Sequence, residues 1–254
     1  MDTQGIRDAA RLLRESRSTV ALTGAGISTP SGIPDFRSPR SGLWAMVDPM
    51  DVASLDGFRA RPRAFYDWFK PLARKMFDAR PNPAHLALAQ MESAGRLAAV
   101  ITQNIDMLHT RAGSKTVYEV HGHMGEAVCI HCRHTFPSDA FLDGWLNRDE
   151  LPLCPDCGSP LKPGITFFGE ALPALAFAQA STAAAQCEVM IIAGSSLEVT
   201  PAADLPAHVL RRGAKLIVVN REPTYVDRHA AAVFRADVAE ILPALADEVT
   251  HVVV

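Results

Sequence analysis

Apolar residues in this chain gather into short unbroken runs, with little alternation of polar and apolar positions inside them. Thr19–Thr23, Leu97–Thr102, Val117–Val120, Val189–Ala193 and Leu216–Val219 are such runs. A strand without polar alternation is one buried on both faces, as in a parallel sheet covered by helices. Elsewhere the apolar positions fall at helical spacing. Ile6, Ala9, Ala10 and Leu13 share one face and predict a surface helix near the N-terminus. Asn82 followed by Pro83 reads as a helix cap and first helical position, and His85–Met91 continue with good helix formers. Pro201–Arg212 predicts a further helix, stopped by Gly213. Strands alternating with helices indicate an α/β fold with a parallel sheet.

Two stretches break this rhythm. Residues 38–80 mix prolines, aromatics and arginines and are expected to form a helical insertion or a long ordered loop. Residues 125–163 hold most of the cysteines and read as a separate small module. The length of 254 residues suits one large domain, or a main domain carrying a smaller one. A hydrophobic content of 48% supplies a core and argues against disorder. No apolar run approaches the roughly 20 residues of a membrane span. The N-terminal segment lacks the apolar core of a secretory signal, and its Asp2, Asp8 and Glu15 count against a transit peptide. A soluble cytoplasmic protein with no membrane association is expected. The net charge of −3 lacks the footprint of a nucleic-acid binder, so no nucleic-acid partner is expected.

Four of the five cysteines form two C-x-x-C pairs, Cys129 with Cys132 and Cys154 with Cys157, with 21 residues between the pairs. Matched pairs of this kind suit a tetrahedral zinc site. Four thiolates close the shell, leave no position for water and make the metal structural. His131 or His134 remains an alternative fourth ligand. Cys187 stands before an apolar run and reads as a core residue.

The first apolar run ends in Gly24-Ala25-Gly26, which would let a phosphate-bearing ligand approach the backbone. The spacing departs from G-x-G-x-x-G, with Thr29 at the third glycine, so the turn alone reads equally well as a tight strand-to-loop connection. GIPDFR follows it, with acid, aromatic and base in consecutive positions. Three further apolar runs end in small or amide side chains: Gln103, Asn104 and Asp106 after the second, GSSLEV at 194–199, and Asn220. Ligands of open α/β sheets bind beyond the carboxyl ends of strands, so this agreement favours a dinucleotide site.

GAGIS, GIPDFR, TQNID, the HG of His121-Gly122, the two C-x-x-C pairs, FFGE and GSSLEV occur here in the order typical of sirtuins. The chain thus resembles these NAD-dependent protein-lysine deacylases over nearly its whole length, and most closely the compact bacterial type. The resemblance implies a Rossmann-like parallel-sheet domain with a smaller zinc-binding and helical domain. The large domain would take residues 1–37, 81–124 and 164–254, the helical insertion 38–80 and the zinc module 125–163. NAD and acyl-lysine proteins would be the cofactor and partners, and Zn²⁺ would be structural.

The resemblance also implies roles. Gly24, Ala25, Gly26, Ser28 and Thr29 would line the dinucleotide. Asp35, Phe36 and Arg37 would belong to a loop over the cofactor, with Phe36 shielding the reacting ribose. Gln103, Asn104, Ile105 and Asp106 would hold the nicotinamide ribose and carboxamide. Gly194, Ser195, Ser196, Asn220, Asp237 and Val238 would contact the remainder of the cofactor. Phe168, Gly169 and Glu170 would bracket the substrate backbone together with Leu197, Glu198 and Val199. His121 would be the catalytic base, acting with Asn104 and Asp106. His123 and His131 would be bystanders. Free lysine, nicotinamide and O-acyl-ADP-ribose would be the products.

One departure bears on specificity. Sirtuins that favour acidic acyl groups are similar to one another in a tyrosine and an arginine three residues apart. Here Tyr66 is present, but Phe69 stands in the arginine's place, which predicts a preference for neutral acyl groups, with Lys70 a possible substitute cation. Two alternatives share the scaffold: protein ADP-ribosylation, and an NAD or ADP-ribose sensor carrying a zinc ribbon. Retention of His121 beside QNID and GIPDFR favours deacylation over a sensor. Hydride transfer is disfavoured by the missing G-x-G-x-x-G.

Overall fold

Every residue of the first run, Thr19–Thr23 (β1), is buried. The computed structural model, which describes residues 2–35 and 48–250, places β1 inside a six-stranded sheet. The order across it is Val117–Glu119 (β3), Ala99–Thr102 (β2), β1, Val189–Ala193 (β7), Lys215–Val219 (β8) and Ala232–Phe234 (β9). All neighbours are parallel. The five runs expected from the sequence are thus strands, shifted by one or two residues at some ends. β9 was not expected, because it is short and half exposed.

Helices cover both faces. Thr3–Glu15 (α1), Pro83–Ser93 (α5) and Val238–Thr250 (α10) bury their apolar stripes against one face. Ala174–Gln186 (α8) and Leu205–Arg211 (α9) cover the other. Asn82 caps α5 as expected, its side chain accepting the Ala84 N–H at 2.9 Å. The helix expected over Pro201–Arg212 is divided: a 3-10 turn at Ala202–Asp204 precedes α9. Pro206, which lacks an N–H, is placed without loss in the first turn of α9. Gly213, at φ +86°, ends it.

Beyond the sheet lies a second body. Pro49–Val52 (α2), Leu55–Ala60 (α3) and Pro62–Asp78 (α4) make the described part of the insertion helical. Gly122–Cys129 (β4), Thr135–Pro137 (β5) and Leu161–Ile165 (β6) form a three-stranded antiparallel sheet in the order β5-β4-β6, with Asp139–Arg148 (α7) beside it. The expected junctions at 124/125 and 163/164 therefore fall inside β4 and β6. Phe58, Phe65, Tyr66, Phe69, Trp145 and Phe167 join the insertion to this sheet in one aromatic cluster.

Leu108–Ala112 (α6) follows β2, and the chain returns through β3 to Gly122, where β4 begins. Gly122 has φ +74°, and a Cβ there would overlap the Gly164 carbonyl oxygen. Gly122→Ala is expected to destabilise the fold by about 2–4 kcal/mol, the sum of a left-handed backbone and a backbone clash. Urea denaturation measures it; an unchanged midpoint would refute the steric argument.

Candidate active site and metal centre

The sheet changes direction between β1 and β7, and a crevice opens there at the carboxyl ends of the strands. Gly24 and Gly26 lie against the end of β7: the Gly26 N–H donates to the Gly194 carbonyl at 2.8 Å, and a Cβ on Gly26 would stand 2.8 Å from Gly194 Cα. Only glycine permits this approach of two backbones. Asn220, at the end of β8, accepts the Ser195 N–H at 2.9 Å and donates to the Ser195 carbonyl at 2.6 Å. Gln103 donates to Ser195 Oγ at 2.8 Å. The strand ends are thus cross-linked into one rigid wall.

That wall borders a cavity of about 1160 Å³, above the roughly 300–1,000 Å³ typical of small-ligand pockets. Gly24, Ala25, Gly26, Thr29, Asp35, Gln103, Asn104, Ile105, His121, Gly194, Ser195, Ser196, Asn220, Asp237 and Val238 all line the cavity. So do Phe168, Gly169, Glu170, Glu198 and Val199. Phe36 and Arg37 lie outside the described residues.

Ser28, Asp106 and Leu197 stand behind the wall. The Ser28 hydroxyl donates to Asp106 Oδ2 at 2.7 Å and accepts from the Asn104 amide at 3.0 Å. The Leu108 N–H donates to Asp106 Oδ1 at 2.9 Å. Burial pushes the Asp106 carboxyl up, opposed by the bonds from Ser28 and Leu108. Asp106 therefore orients Asn104 through Ser28. Leu197 is buried at φ +56°, its N–H donating to Ser195 Oγ at 3.3 Å.

His121 follows β3. Its Nδ1 lies 2.9 Å from the Gln103 carbonyl. A carbonyl can only accept, so Nδ1 carries the proton and Nε2 keeps a free electron pair. Burial lowers the His121 pKa below 6.5, with the Gln103 bond pulling it partly back. The ring is neutral at pH 7, as a general base requires.

Sequence reasoning missed part of this site. Phe65, Trp68, Ile165, Thr166 and Phe167 also line the cavity, as do Arg221, Glu222 and Pro223. The aromatic spacing in AFYDWF signals a helix face but not what it faces. His85 and His109 were also missed; they lie buried beneath the wall, rings 4.8 Å apart, with His109 Nε2 at 2.9 Å from Thr23 Oγ1. Tyr66 turns away from the cavity and donates to the Leu161 carbonyl at 2.6 Å. Lys70 is bound to Asp149 at 2.8 Å and does not border the cavity, so the substitute cation considered for the acyl group is committed elsewhere.

The Cys129, Cys132, Cys154 and Cys157 sulfurs gather within 4.8 Å of one another. Sγ–Sγ distances of 3.5 Å (Cys129–Cys157) and 3.6 Å (Cys132–Cys154) approach the roughly 3.8 Å edge of a tetrahedron with Zn–S near 2.3 Å. The His131 and Cys132 N–H groups each donate to Cys129 Sγ at 3.4 Å. The donor set fits zinc. His134, weighed as a substitute ligand, pairs with Asp156 at 2.5 Å outside the sulfur quartet, although both lie within reach of Cys132. His123 is held by Glu119 at 3.9 Å and by the Gly125 N–H. Cys187 is buried, its thiol donating to the Ala184 carbonyl, as expected of a core residue.

The model of the Sir2 family matches residues 24–201. The chain belongs to the Sir2 family. An NAD-dependent protein deacylase 2 of Archaeoglobus fulgidus is 45% identical over 245 residues, covering 96% of each chain. An NAD-dependent protein deacetylase of Thermotoga maritima is 45% identical over 93% of this chain and 95% of its own. Among solved Sir2 structures, one described with the mechanism and regulation of Sir2 enzymes superposes with a TM-score of 0.90 at 44% identity, covering 97% of this chain and 98% of its own. Another, holding a deacetylated p53 peptide and 3′-O-acetyl-ADP-ribose, also gives 0.90, at 43% identity over 96% of this chain and 98% of its own. The Sir2 placement agrees with the fold and with the clustered cysteines. Among the described residues no helix is long and apolar enough to cross a membrane.

Proposed function

We propose that the chain is an NAD-dependent protein-lysine deacylase. It converts acyl-lysine, NAD and water to free lysine, nicotinamide and O-acyl-ADP-ribose. The observation that carries this reading is His121 with Nδ1 tied to the Gln103 carbonyl and Nε2 free, on the wall of a cavity that also holds the Asn104 amide. A cofactor-binding sheet alone has no need of a neutral histidine held in one tautomer.

NAD supplies the ribose that accepts the acyl group and the nicotinamide that leaves. Gly24–Gly26 and Thr29 would receive its phosphates, Ser195, Ser196, Asn220, Asp237 and Val238 its adenosine half. Asn104 holds the nicotinamide-ribose side, steadied by Ser28 and Asp106. His121 Nε2 takes the proton of a ribose hydroxyl. The peptide lies between Phe168–Glu170 and Leu197–Val199 as an added strand. Zinc supplies structure only. A large domain around the six-stranded sheet and a small domain joining the helical insertion to the β5-β4-β6 sheet go with these roles. A cytoplasmic location goes with four thiolates kept reduced for a metal.

The test is incubation with NAD and an acetyl-lysine peptide, with nicotinamide and O-acetyl-ADP-ribose followed by mass spectrometry. No nicotinamide release would refute the reading. Acyl selectivity gives a second expectation. Phe69 lies on the cavity wall, stacked on Phe65 at 5.1 Å. It offers an acyl carboxylate no partner, so kcat/KM for succinyl-lysine should fall about 100-fold or more below that for acetyl-lysine, the cost of one unpaired charge-assisted bond. Faster turnover of succinyl peptides would overturn it.

A further inference from the structure

Lys162, in β6, is a buried lysine that the chemistry above leaves unused, at 8% exposure. Its Nζ donates to the Ile165 carbonyl at 2.6 Å and the Pro163 carbonyl at 3.1 Å, and meets Glu170 Oε2 at 3.0 Å. An ammonium has three donors, and these acceptors engage them all. It also stands 4.5 Å from the centre of the Phe167 ring. Burial draws the Lys162 pKa down, and the Glu170 carboxylate draws it back.

Glu170 does more than neutralise the charge. The same Oε2 accepts the Phe167 N–H at 2.8 Å, and the Glu170 N–H returns to the Phe167 carbonyl at 3.0 Å. One carboxylate oxygen thus closes the turn Phe167–Glu170, and Lys162 anchors that oxygen to β6. β6 pairs in turn with β4, which carries Cys129. Phe168 is held on its other edge by the Ala53 carbonyl and the Leu55 N–H, each at 3.0 Å. The substrate wall is therefore tied at one end to the insertion and at the other to the metal-bearing sheet.

We propose that Lys162 is a positioning residue for the acyl-lysine substrate: through Glu170 it holds Phe167–Glu170 in the register that receives the peptide. The inference rests on the deacylase reading. It separates the two halves of the cavity, because the dinucleotide wall is built from Gly24–Gly26, Ser195 and Asn220, none of which Lys162 contacts by a hydrogen bond. A residue that merely supported the fold would disturb both halves together.

Lys162→Met, Lys162→Gln and Lys162→Arg are compared with wild type for zinc content, for KM of acetyl-lysine peptide and of NAD, and for direct binding of labelled peptide and of ADP-ribose. Lys162→Met is expected to raise the peptide KM about tenfold, the scale of loss when a positioning contact is removed, with the NAD KM within about twofold. Lys162→Arg, which keeps the charge, should restore the peptide KM to within about threefold. Where Lys162→Met loses zinc or fails to fold, Lys162→Gln decides, since its amide keeps a polar donor in place of the charge. A peptide KM unchanged in both neutral variants, or peptide and NAD values rising in parallel, overturns the proposal. A wild type that binds peptide without deacylating it refutes the enzymatic reading instead, and the role of Lys162 is then decided by the peptide-binding measurement.

Discussion

Replacing His121 by alanine is expected to lower kcat for deacylation by about 10²–10⁴-fold, the usual contribution of a positioned general base. ADP-ribose binding should survive, because the residues proposed to take the phosphates and adenosine follow β1, β7 and β8, whereas His121 follows β3. The pH profile gives an independent check. The base works in its neutral form, so activity is present above the His121 pKa and lost as pH falls through it. Burial sets that pKa below 6.5. The acid limb of kcat should therefore have its midpoint below pH 6.5 and be absent from the residual activity of His121→Ala. A mutant with near wild-type kcat, or a wild-type acid limb centred well above 6.5, would remove His121 from the role of base.

Removing the metal should have the largest effect on structure. Among the described residues, the zinc module's local apolar cluster has Ala127, Cys129, Cys154 and Leu161 as its buried members. So small a cluster does not offset the ordering entropy of the segment, and a structural zinc contributes on the order of 10 kcal/mol. The purified protein is expected to carry one zinc per chain. A strong chelator should unfold β4–β6 around the cysteines and abolish deacylation, while α1, α5, α10 and the six-stranded sheet persist, since their core shares no residue with the module. Hydrogen exchange resolves the two regions, and elemental analysis follows the metal. Full activity in zinc-free protein would show that the module stands without it. Activity should follow structure and not metal identity, so another tetrahedral thiophilic ion such as cobalt should restore it.

Much of the large domain was legible in the sequence because its strands are buried on both faces. Such a strand must be apolar throughout, and β1, β7 and β8 are continuous runs for that reason. The antiparallel β4 and β6 were not legible. GHMGEAVC alternates imperfectly because its pairing with β6 shifts register between Gly122 and Ala127 and because the insertion packs on it. A chain segment read alone carries no trace of either. The motif residues were legible as a set. Of these, Ser28, Asp106 and Leu197 are buried and are not among the residues that border the cavity. Spacing identifies which residues gather at a strand end but not which turn inward.

The sequence by itself determined the α/β class, the strand ends that meet at the cavity, the four cysteines and His121 as the candidate base. The first three depend on local composition and spacing, which a linear chain displays directly; His121 came from the resemblance of the surrounding motifs to those of sirtuins. Only the tertiary structure decided the tautomer of His121, since the carbonyl that sets it belongs to Gln103, 18 residues away. It alone paired Tyr66 with the Leu161 carbonyl, Lys70 with Asp149 and Lys162 with Glu170. Hydrogen bonds and ion pairs are short-ranged and directional, so partners are assigned only after the backbone has brought distant segments within about 3 Å of one another.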